Sequence, residues 1–176
     1  MKPKIIVWNV RGLNAFKKRL WIRGLLKEWK ADIVCLIETK MEVITREVVC
    51  SLWGGQHVDW MYKGANGASR GILLMWDRRV MEKREECIGC YTIACTFENV
   101  EDHFVWAFFG GGGGVYGPNL EVDRRILWEE LAGLMSMWEI PWCIGGDFNI
   151  VRFPSECYSD SNYSTAMMDF SDFIVE

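Results

Sequence analysis

The chain has 176 residues, of which 50% are hydrophobic and 14% aromatic, and its formal net charge at pH 7 is −4. A chain of this length and apolar content buries a sizeable core, so the composition excludes an intrinsically disordered protein. Its apolar runs are shorter than the roughly 20 residues of a membrane span, and its start lacks the apolar region and cleavage site of a signal peptide. We therefore expect an intracellular protein that does not enter the membrane.

The seven cysteines favour reduced thiols over a disulfide framework, because their number is odd and they are scattered through apolar segments. Cys87 and Cys90 form a single C-x-x-C pair. Without a second pair or a nearby histidine, this segment is better interpreted as a strand or hairpin than as a zinc site.

Basic residues are concentrated at the start of the chain. Residues 1–30 contain nine Lys or Arg and one acidic residue, Glu28, so this segment carries +8 and the remainder −12. A basic segment of this kind can attract phosphates even in an acidic protein. On charge alone, the competing interpretation is a solvated helix face.

The first third of the chain alternates strand-like and helix-like patterns. The predicted elements are a strand at 4–10, a helix at 14–30, a strand at 31–40 and a short helix at 44–55. The first helix is predicted to bury one stripe that contains Trp21, Leu25 and Trp29, together with Ile22 and Leu26. The continuous apolar run of the second strand indicates burial on both faces, and Gly54 with Gly55 ends the second helix.

The rest of the chain is richer in strands, and it shows no linker that would divide residues 1–176 into more than a single domain. Strands are predicted at 57–64, 70–77, within 80–100, at 103–109 and at 141–151, and helices at 120–138 and 164–176. Ser164 or Thr165 caps the last helix. Gly110 to Gly114 form a low-complexity run.

Polar residues follow four of the predicted strands. They are Asn9, Glu38, Tyr116, and the pair Asp147 and Asn149. Taken singly, each has an ordinary structural interpretation as a turn cap, a solvated carboxylate, a core tyrosine or an Asx-turn. Taken together they predict a binding site, because ligands of open α/β sheets bind beyond strand ends.

The chemistry of these residues is suited to metal-dependent phosphate hydrolysis. Glu38 offers the oxygen ligand that Mg²⁺ prefers, and Mg²⁺ needs only one or two protein carboxylates. Asp147 could orient or deprotonate the attacking water, while Asn149 and Tyr116 donate hydrogen bonds to the charged oxygens of the transition state. The expected cofactor is Mg²⁺, with Mn²⁺ as an alternative.

Five motifs occur in the order and spacing of the endonuclease/exonuclease/phosphatase superfamily. They are "WNVRGLN", "DIVCLIETK", "GILLMWD", "VYGPN" and "GGDFN". Within the superfamily, the sequence most resembles the apurinic-type endonuclease domain of plant non-LTR (LINE-type) retrotransposons. By this resemblance, Asn9 and Glu38 match the metal-site residues, Tyr116 the active-site tyrosine, and Asp147 and Asn149 the catalytic Asp-x-Asn.

The resemblance also implies a fold and a biological setting. The fold is a four-layer α/β sandwich, in which two mixed β-sheets pack face to face with helices outside. The implied activity is Mg²⁺-dependent nicking of target DNA to prime reverse transcription. The implied partners are DNA, through the basic N-terminal segment, and a reverse transcriptase domain in a longer reading frame; the implied location is the nucleus.

The sequence departs from the family pattern in three ways. The C-terminal "SRIDR"-like segment and the Ser-Asp-His motif are absent, which predicts an N-terminal portion of the domain with weak or no activity. Neither His57 nor His103 lies in a matching context. The five-glycine run is longer than the family pattern and could displace Tyr116, and Ile37 replaces a frequent glutamine.

Two other functions remain open from the sequence. A phosphatase of inositol lipids or nucleotide derivatives would share the chemistry of Glu38 and Asp147 with a different pocket. A non-catalytic retroelement remnant would keep the fold without the reaction.

Overall fold

A computed structural model describes residues 2–67, 69–112, 120–148, 150, 153–156, 164, 167–168 and 170–172. The strands are β1 (Ile5–Asn9), β2 (Ile33–Ile37), β3 (Val58–Lys63), β4 (Ile72–Asp77), β5 (Met81–Ile88), β6 (Thr92–Asn99), β7 (Val105–Gly112) and β8 (Trp142–Asp147). The helices are α1 (Phe16–Trp29), α2 (Arg46–Trp53) and α3 (Leu120–Met137), and a 3₁₀ turn covers Pro154–Glu156. No helix within the described ranges is both long and apolar enough to cross a membrane.

The strands form two four-stranded sheets, with the orders β1-β2-β4-β3 and β5-β6-β7-β8. Each sheet contains one parallel pair, β1 with β2 and β7 with β8, and its other pairs are antiparallel. Both sheets are therefore mixed. The predicted sandwich of two mixed sheets with outer helices is confirmed.

The central core lies between the two sheets. Along β2, Cys35 faces this core while Val34 and Leu36 face the opposite side of the sheet, and all three are fully buried. This two-residue alternation explains why the strand is apolar throughout, as the sequence predicted. Burial raises the pKa of the Cys35 thiol to about 12, so this cysteine is neutral and unreactive at pH 7.

Helices cover the outer face of each sheet. Ile22 and Leu26 of α1 lie in one outer cluster with Val49 and Leu52 of α2, against the first sheet. In the second sheet, the outer cluster includes Leu127, Leu131 and Leu134 of α3 and Trp138 directly after it.

The buried stripe of α1 differs from the predicted one. Trp21 and Trp29 were expected in the core, but 59% and 39% of their surface is exposed. Both rings instead contact Trp8, with centroid distances of 5.9 Å in each case. The reason is that β1 lies at the edge of its sheet, so this flank of the helix has no further strand beneath it in the described part of the chain.

Part of the glycine run is strand, which the sequence did not indicate. Gly110 and Gly111 lie in β7 and pair with β6 on one side and β8 on the other. A β-carbon on Gly110 would lie 2.8 Å from the Cys35 sulfur, so a side chain there would collide with the facing sheet. Glycine is required here by close approach of the two sheets.

The predicted end of the second helix and the predicted cap of the last helix are confirmed. α2 ends at Gly54, which has φ +76°, and begins after Thr45, whose hydroxyl accepts a hydrogen bond from the Val48 N–H at 3.4 Å. Residues 167–168 and 170–172 are helical, and the Ser164 hydroxyl accepts a hydrogen bond from the Met167 N–H at 3.2 Å. Ser164 is thus the cap of the C-terminal helical segment.

Candidate active site

The ends of three strands meet at one edge of the sandwich. Asn9 is the last residue of β1 and pairs in register with Ile37, so Glu38 follows β2 at the same edge. Asp147 is the last residue of β8, in the second sheet. Because β1 and β2 are parallel, their carboxyl ends lie side by side.

A hydrogen bond joins the two sheets at this edge. The Asn9 side-chain nitrogen donates to Asp147 Oδ2 at 3.0 Å, although the two residues are 138 positions apart in the sequence. The Asn9 side-chain oxygen accepts a hydrogen bond from the Arg11 N–H at 3.1 Å. Because its amide is held from both ends, Asn9 fixes the orientation of the Asp147 carboxylate.

Two glycines allow β8 to approach close enough for this contact. A β-carbon on Gly145 would lie 2.4 Å from a methyl of Val7 in β1, and one on Gly146 would lie 2.2 Å from the Gly111 carbonyl oxygen. Any side chain at either position would force β8 away from its neighbours. The two glycines before Asp147 therefore help to set its position, because they let β8 lie close to its neighbours.

Glu38 is buried and held in an unusual backbone conformation. Only 3% of its surface is exposed, and its φ is +58°, a region that costs a non-glycine residue about 1–3 kcal/mol. Its carbonyl accepts the Gly12 N–H at 2.7 Å, and the next residue, Thr39, donates its N–H to the Gly71 carbonyl at 3.2 Å. The interpretation of Glu38 as a solvated surface carboxylate is wrong.

Arg70 is a site residue that the sequence reasoning missed. Its Nη1 lies 3.3 Å from Glu38 Oε2, and its side chain is 37% exposed. The available signal was topological: Arg70 precedes β4, which is antiparallel to β2, so the start of β4 lies beside the end of β2. No pattern within "SRGILL" itself indicates this pairing.

The donor set at this edge fits Mg²⁺. No group of three or more His, Cys, Asp or Glu able to hold a metal occurs in the described part of the chain. A buried carboxylate with a neighbouring side-chain amide is instead the sparse oxygen set that Mg²⁺ accepts, since it keeps several waters. Glu38 and Asn9, at the ends of the neighbouring strands β2 and β1, are the residues that would hold the ion.

Both histidines of the sequence lie at the other end of the sandwich. His57 precedes β3, whose first residue pairs with the last residue of β4, and His103 lies in the turn between β6 and β7, with its Nδ1 2.8 Å from Glu98. This agrees with the expectation that neither belongs to the site. Tyr116 and Asn149, the remaining predicted site residues, fall outside the described residues.

Comparison with known proteins places this edge in a family context. Residues 6–168 match the profile of the family described as Endonuclease/Exonuclease/phosphatase. The chain belongs to this family. An exodeoxyribonuclease of Bacillus subtilis is 33% identical over 166 residues, an alignment that covers 85% of this chain and 59% of the relative. The chain thus spans less than two thirds of the length of that family member.

Solved structures of family-like fold agree with the sandwich. An AP endonuclease from Leishmania major has a TM-score of 0.71 at 16% identity, covering 98% of this chain and 66% of that chain. A mannosyl-6-phosphatase from Bacteroides thetaiotaomicron has a TM-score of 0.65 at 15% identity, covering 85% of this chain and 66% of that chain. The human Nocturnin catalytic domain has a TM-score of 0.58 at 18% identity, covering 82% of this chain and 64% of that chain. These likenesses establish the fold, and the fold alone does not select a substrate.

Proposed function

We propose that this chain carries the metal-binding and water-activating half of a Mg²⁺-dependent DNA phosphodiester hydrolase, an endonuclease of retrotransposon type. The observation that carries the proposal is the hydrogen bond between Asn9 and Asp147, which brings a carboxylate from the second sheet to the edge where Glu38 follows β2. The 33% identity to a protein named exodeoxyribonuclease supports DNA as the substrate class. The retrotransposon assignment rests on the five sequence motifs.

Each residue has a separate part in this reaction. Glu38 and Asn9 would hold Mg²⁺, and the ion would supply positive charge that polarises the phosphate. Asp147, oriented through its Oδ2 by Asn9, accepts the proton of the attacking water. Tyr116 and Asn149 donate hydrogen bonds to the phosphate oxygens as negative charge develops.

We further propose that the 176-residue chain nicks DNA below ordinary detection. The family pattern calls for a histidine that contacts the phosphate, and both histidines of this sequence lie far from the edge that holds Asp147. Loss of one preorganised transition-state donor lowers the rate by about 10²–10³.

Metal binding is the first test, because it does not depend on turnover. Titration with Mn²⁺, followed by electron paramagnetic resonance, should show weak binding to the wild-type chain and none to Glu38→Gln. Glu82→Gln is the matched control, since Glu82 is an exposed carboxylate of β5, and it should bind like wild type. Equal binding by wild type and Glu38→Gln would contradict the assignment.

Supercoiled-plasmid nicking with Mg²⁺ tests the reaction. We expect no nicking by the 176-residue chain, nicking by a version extended with a family-type segment that contains Ser-Asp-His, and none by that version with Asp147→Ala. Release of phosphate from inositol phosphates by the extended version, without nicking, would identify a phosphatase instead. Robust nicking by the 176-residue chain, abolished by Asp147→Ala, would refute the prediction of weak activity. It would still support the assignment of Asp147 to the active site.

A further inference from the structure

A cleft of about 260 Å³ lies at the end of the molecule opposite the candidate active site. Arg23, Lys27 and Lys30, from the C-terminal half and cap of α1, form one wall, and Trp53 with the two glycines that follow it, at the end of α2, forms the other. α1 starts after Asn9 and ends before β2 begins, so its C-terminus is at the far end of the sheet. A helix of 14 residues separates the two regions by roughly 20 Å.

The cations of this cleft differ from other basic residues of the N-terminal segment. Lys4 and Lys18 donate to the backbone carbonyls of Trp29 and Val10, and Arg19 donates to Ser51 and to two carbonyls, so these three serve the fold. The charged groups of the three cleft cations make no hydrogen bond or ion pair within the described ranges. They are available to a ligand and, unlike Lys2, Arg11 and Lys17 of the same segment, they line one cleft together.

Among the described residues that line the cleft, the one carboxylate does not neutralise this charge. Asp77 is engaged by Arg79, whose Nη2 lies 2.6 Å from Asp77 Oδ2, and this hydrogen bond lowers the pKa of Asp77. The carboxylate is therefore ionised but already paired. The cleft keeps a net positive charge.

The three cations share one face of α1. Positions 23, 27 and 30 follow the i, i+4, i+7 pattern, which places them in a row about 10 Å long. Like charges in such a row repel one another. The helix dipole favours cations in the last turn, which accounts for Lys27 and Lys30 but not for Arg23, two turns earlier.

The opposite wall is shaped by glycine. A β-carbon on Gly54 would lie 2.3 Å from the Arg23 Nε, so the bare backbone is what allows the guanidinium to enter the cleft. A β-carbon on Gly55 would lie 3.4 Å from Trp53 Cδ1, and without it this edge of the indole stays uncovered. Trp53 is only partly buried and lines the cleft.

We propose that this cleft binds the phosphodiester backbone of single-stranded nucleic acid, with the three cations on successive phosphates and the open part of the Trp53 indole as an aromatic contact for one base. A row of cations suits a ligand that carries repeated negative charges, and an aromatic surface beside them suits a base. The recess favours a single strand over a duplex, because only an unpaired base can enter it and reach the indole of Trp53. The cleft is separate from the strand-end site, so this binding goes beyond the hydrolase proposed above.

The test is fluorescence anisotropy with a labelled 12-nucleotide single strand in EDTA, over a series of salt concentrations. The triple variant Arg23→Gln, Lys27→Gln, Lys30→Gln should raise Kd at least about tenfold and reduce the slope of log K against log salt by about 2, since each phosphate contact in a single strand contributes about 0.7. The matched control Lys2→Gln, Arg46→Gln, Lys63→Gln removes the same charge elsewhere and should keep most of the slope. Trp53→Leu should weaken binding about 5- to 100-fold without changing the slope.

Several outcomes would overturn the proposal. They are an absence of oligonucleotide binding by the wild-type chain, equal losses in the two triple variants, and an unchanged Kd in Trp53→Leu. Binding to vesicles containing anionic lipid, but not to the oligonucleotide, would also refute it. Because the titration contains no metal, it is independent of the Mn²⁺ test of Glu38, and either proposal can fail alone.

Discussion

At the scale of single residues, the surroundings of Glu38 combine burial with incomplete hydrogen bonding. Thr39 is fully buried, and its hydroxyl has no hydrogen-bond partner among the described residues. A β-carbon on Gly71 would lie 2.2 Å from this oxygen, so the hydroxyl is enclosed by backbone. A buried hydroxyl without a partner lowers stability by about 1–3 kcal/mol.

Replacing this hydroxyl by a methyl group should stabilise the fold. Thr39→Val should raise the free energy of unfolding in urea by about 1 kcal/mol, because the substitution removes an unpaired polar group at constant shape. Thr96→Val is the matched control: Thr96 is also buried, but its hydroxyl accepts the Glu85 N–H at 3.0 Å, so its loss should destabilise by about 1 kcal/mol. Destabilisation by Thr39→Val would indicate a partner for this hydroxyl.

A pH dependence is expected from Asp77. The hydrogen bond from the Arg79 side chain lowers the pKa of Asp77 in the folded protein below its ordinary value. Its contribution to stability is therefore complete above the unfolded pKa and is lost as pH falls through the lower folded pKa. Asp77→Asn should lower the urea midpoint at pH 7, and this difference should shrink at pH 3. A difference that grows on acidification would contradict the assigned direction.

At the scale of elements, the site depends on how closely β8 approaches β1. The two strands belong to different sheets, and the approach is limited by Val7 on one side and Gly145 on the other. Asn9 and Asp147 lie two residues further along these strands. A change in the spacing of these strands would therefore alter the distance between Asn9 and Asp147 in the candidate active site.

Gly145→Ala should separate the two strands. The new methyl group would lie 2.4 Å from Val7, and overpacking of this kind costs about 1–3 kcal/mol in unfolding free energy. It should also weaken the binding of Mn²⁺. Val7→Ala in the same chain should recover part of the stability, because it removes the colliding methyl groups. If the double variant is as destabilised as the sum of the two single variants, the strands do not meet in this way.

At the scale of the whole molecule, the side of the sandwich that carries β1 is exposed and aromatic. β1 is an edge strand in the described sheets, and the Trp8, Trp21 and Trp29 rings form a continuous patch beside it. Exposed edges next to apolar surface favour association between chains. This patch is separate from the basic cleft, which lies between α1 and α2.

The isolated chain should therefore self-associate as its concentration rises. Sedimentation velocity should show an increasing weight-average mass for wild type, and Trp21→Lys should reduce this increase by adding charge to the patch. Val43→Lys is the control: Val43 is 63% exposed and follows Glu42, whose carbonyl lies beside Gly64 after β3, at the other edge of the sheet, so the variant should behave like wild type. A monodisperse wild-type monomer at all concentrations would refute the prediction.

Local patterns in the sequence determined the elements and the family. Three features depend only on neighbouring residues and can be predicted from the local sequence. They are the unbroken apolar run of β2, the end of α2 at Gly54 and the helix cap at Ser164. The same holds for the polar residues at strand ends, which identified Asn9, Glu38 and Asp147 as candidates. Tyr116 and Asn149 stay predictions, outside the described residues.

Tertiary structure decided which of these groups meet. The contact between Asn9 and Asp147 spans 138 residues and depends on how two sheets pack, while the pairing of Arg70 with Glu38 depends on strand order. Trp21 and Trp29 fit a buried helical stripe by spacing, yet they are exposed because their flank of α1 overhangs an edge strand. Periodicity specifies which residues share a face of an element. Only the packing of that element against others specifies whether the face is covered.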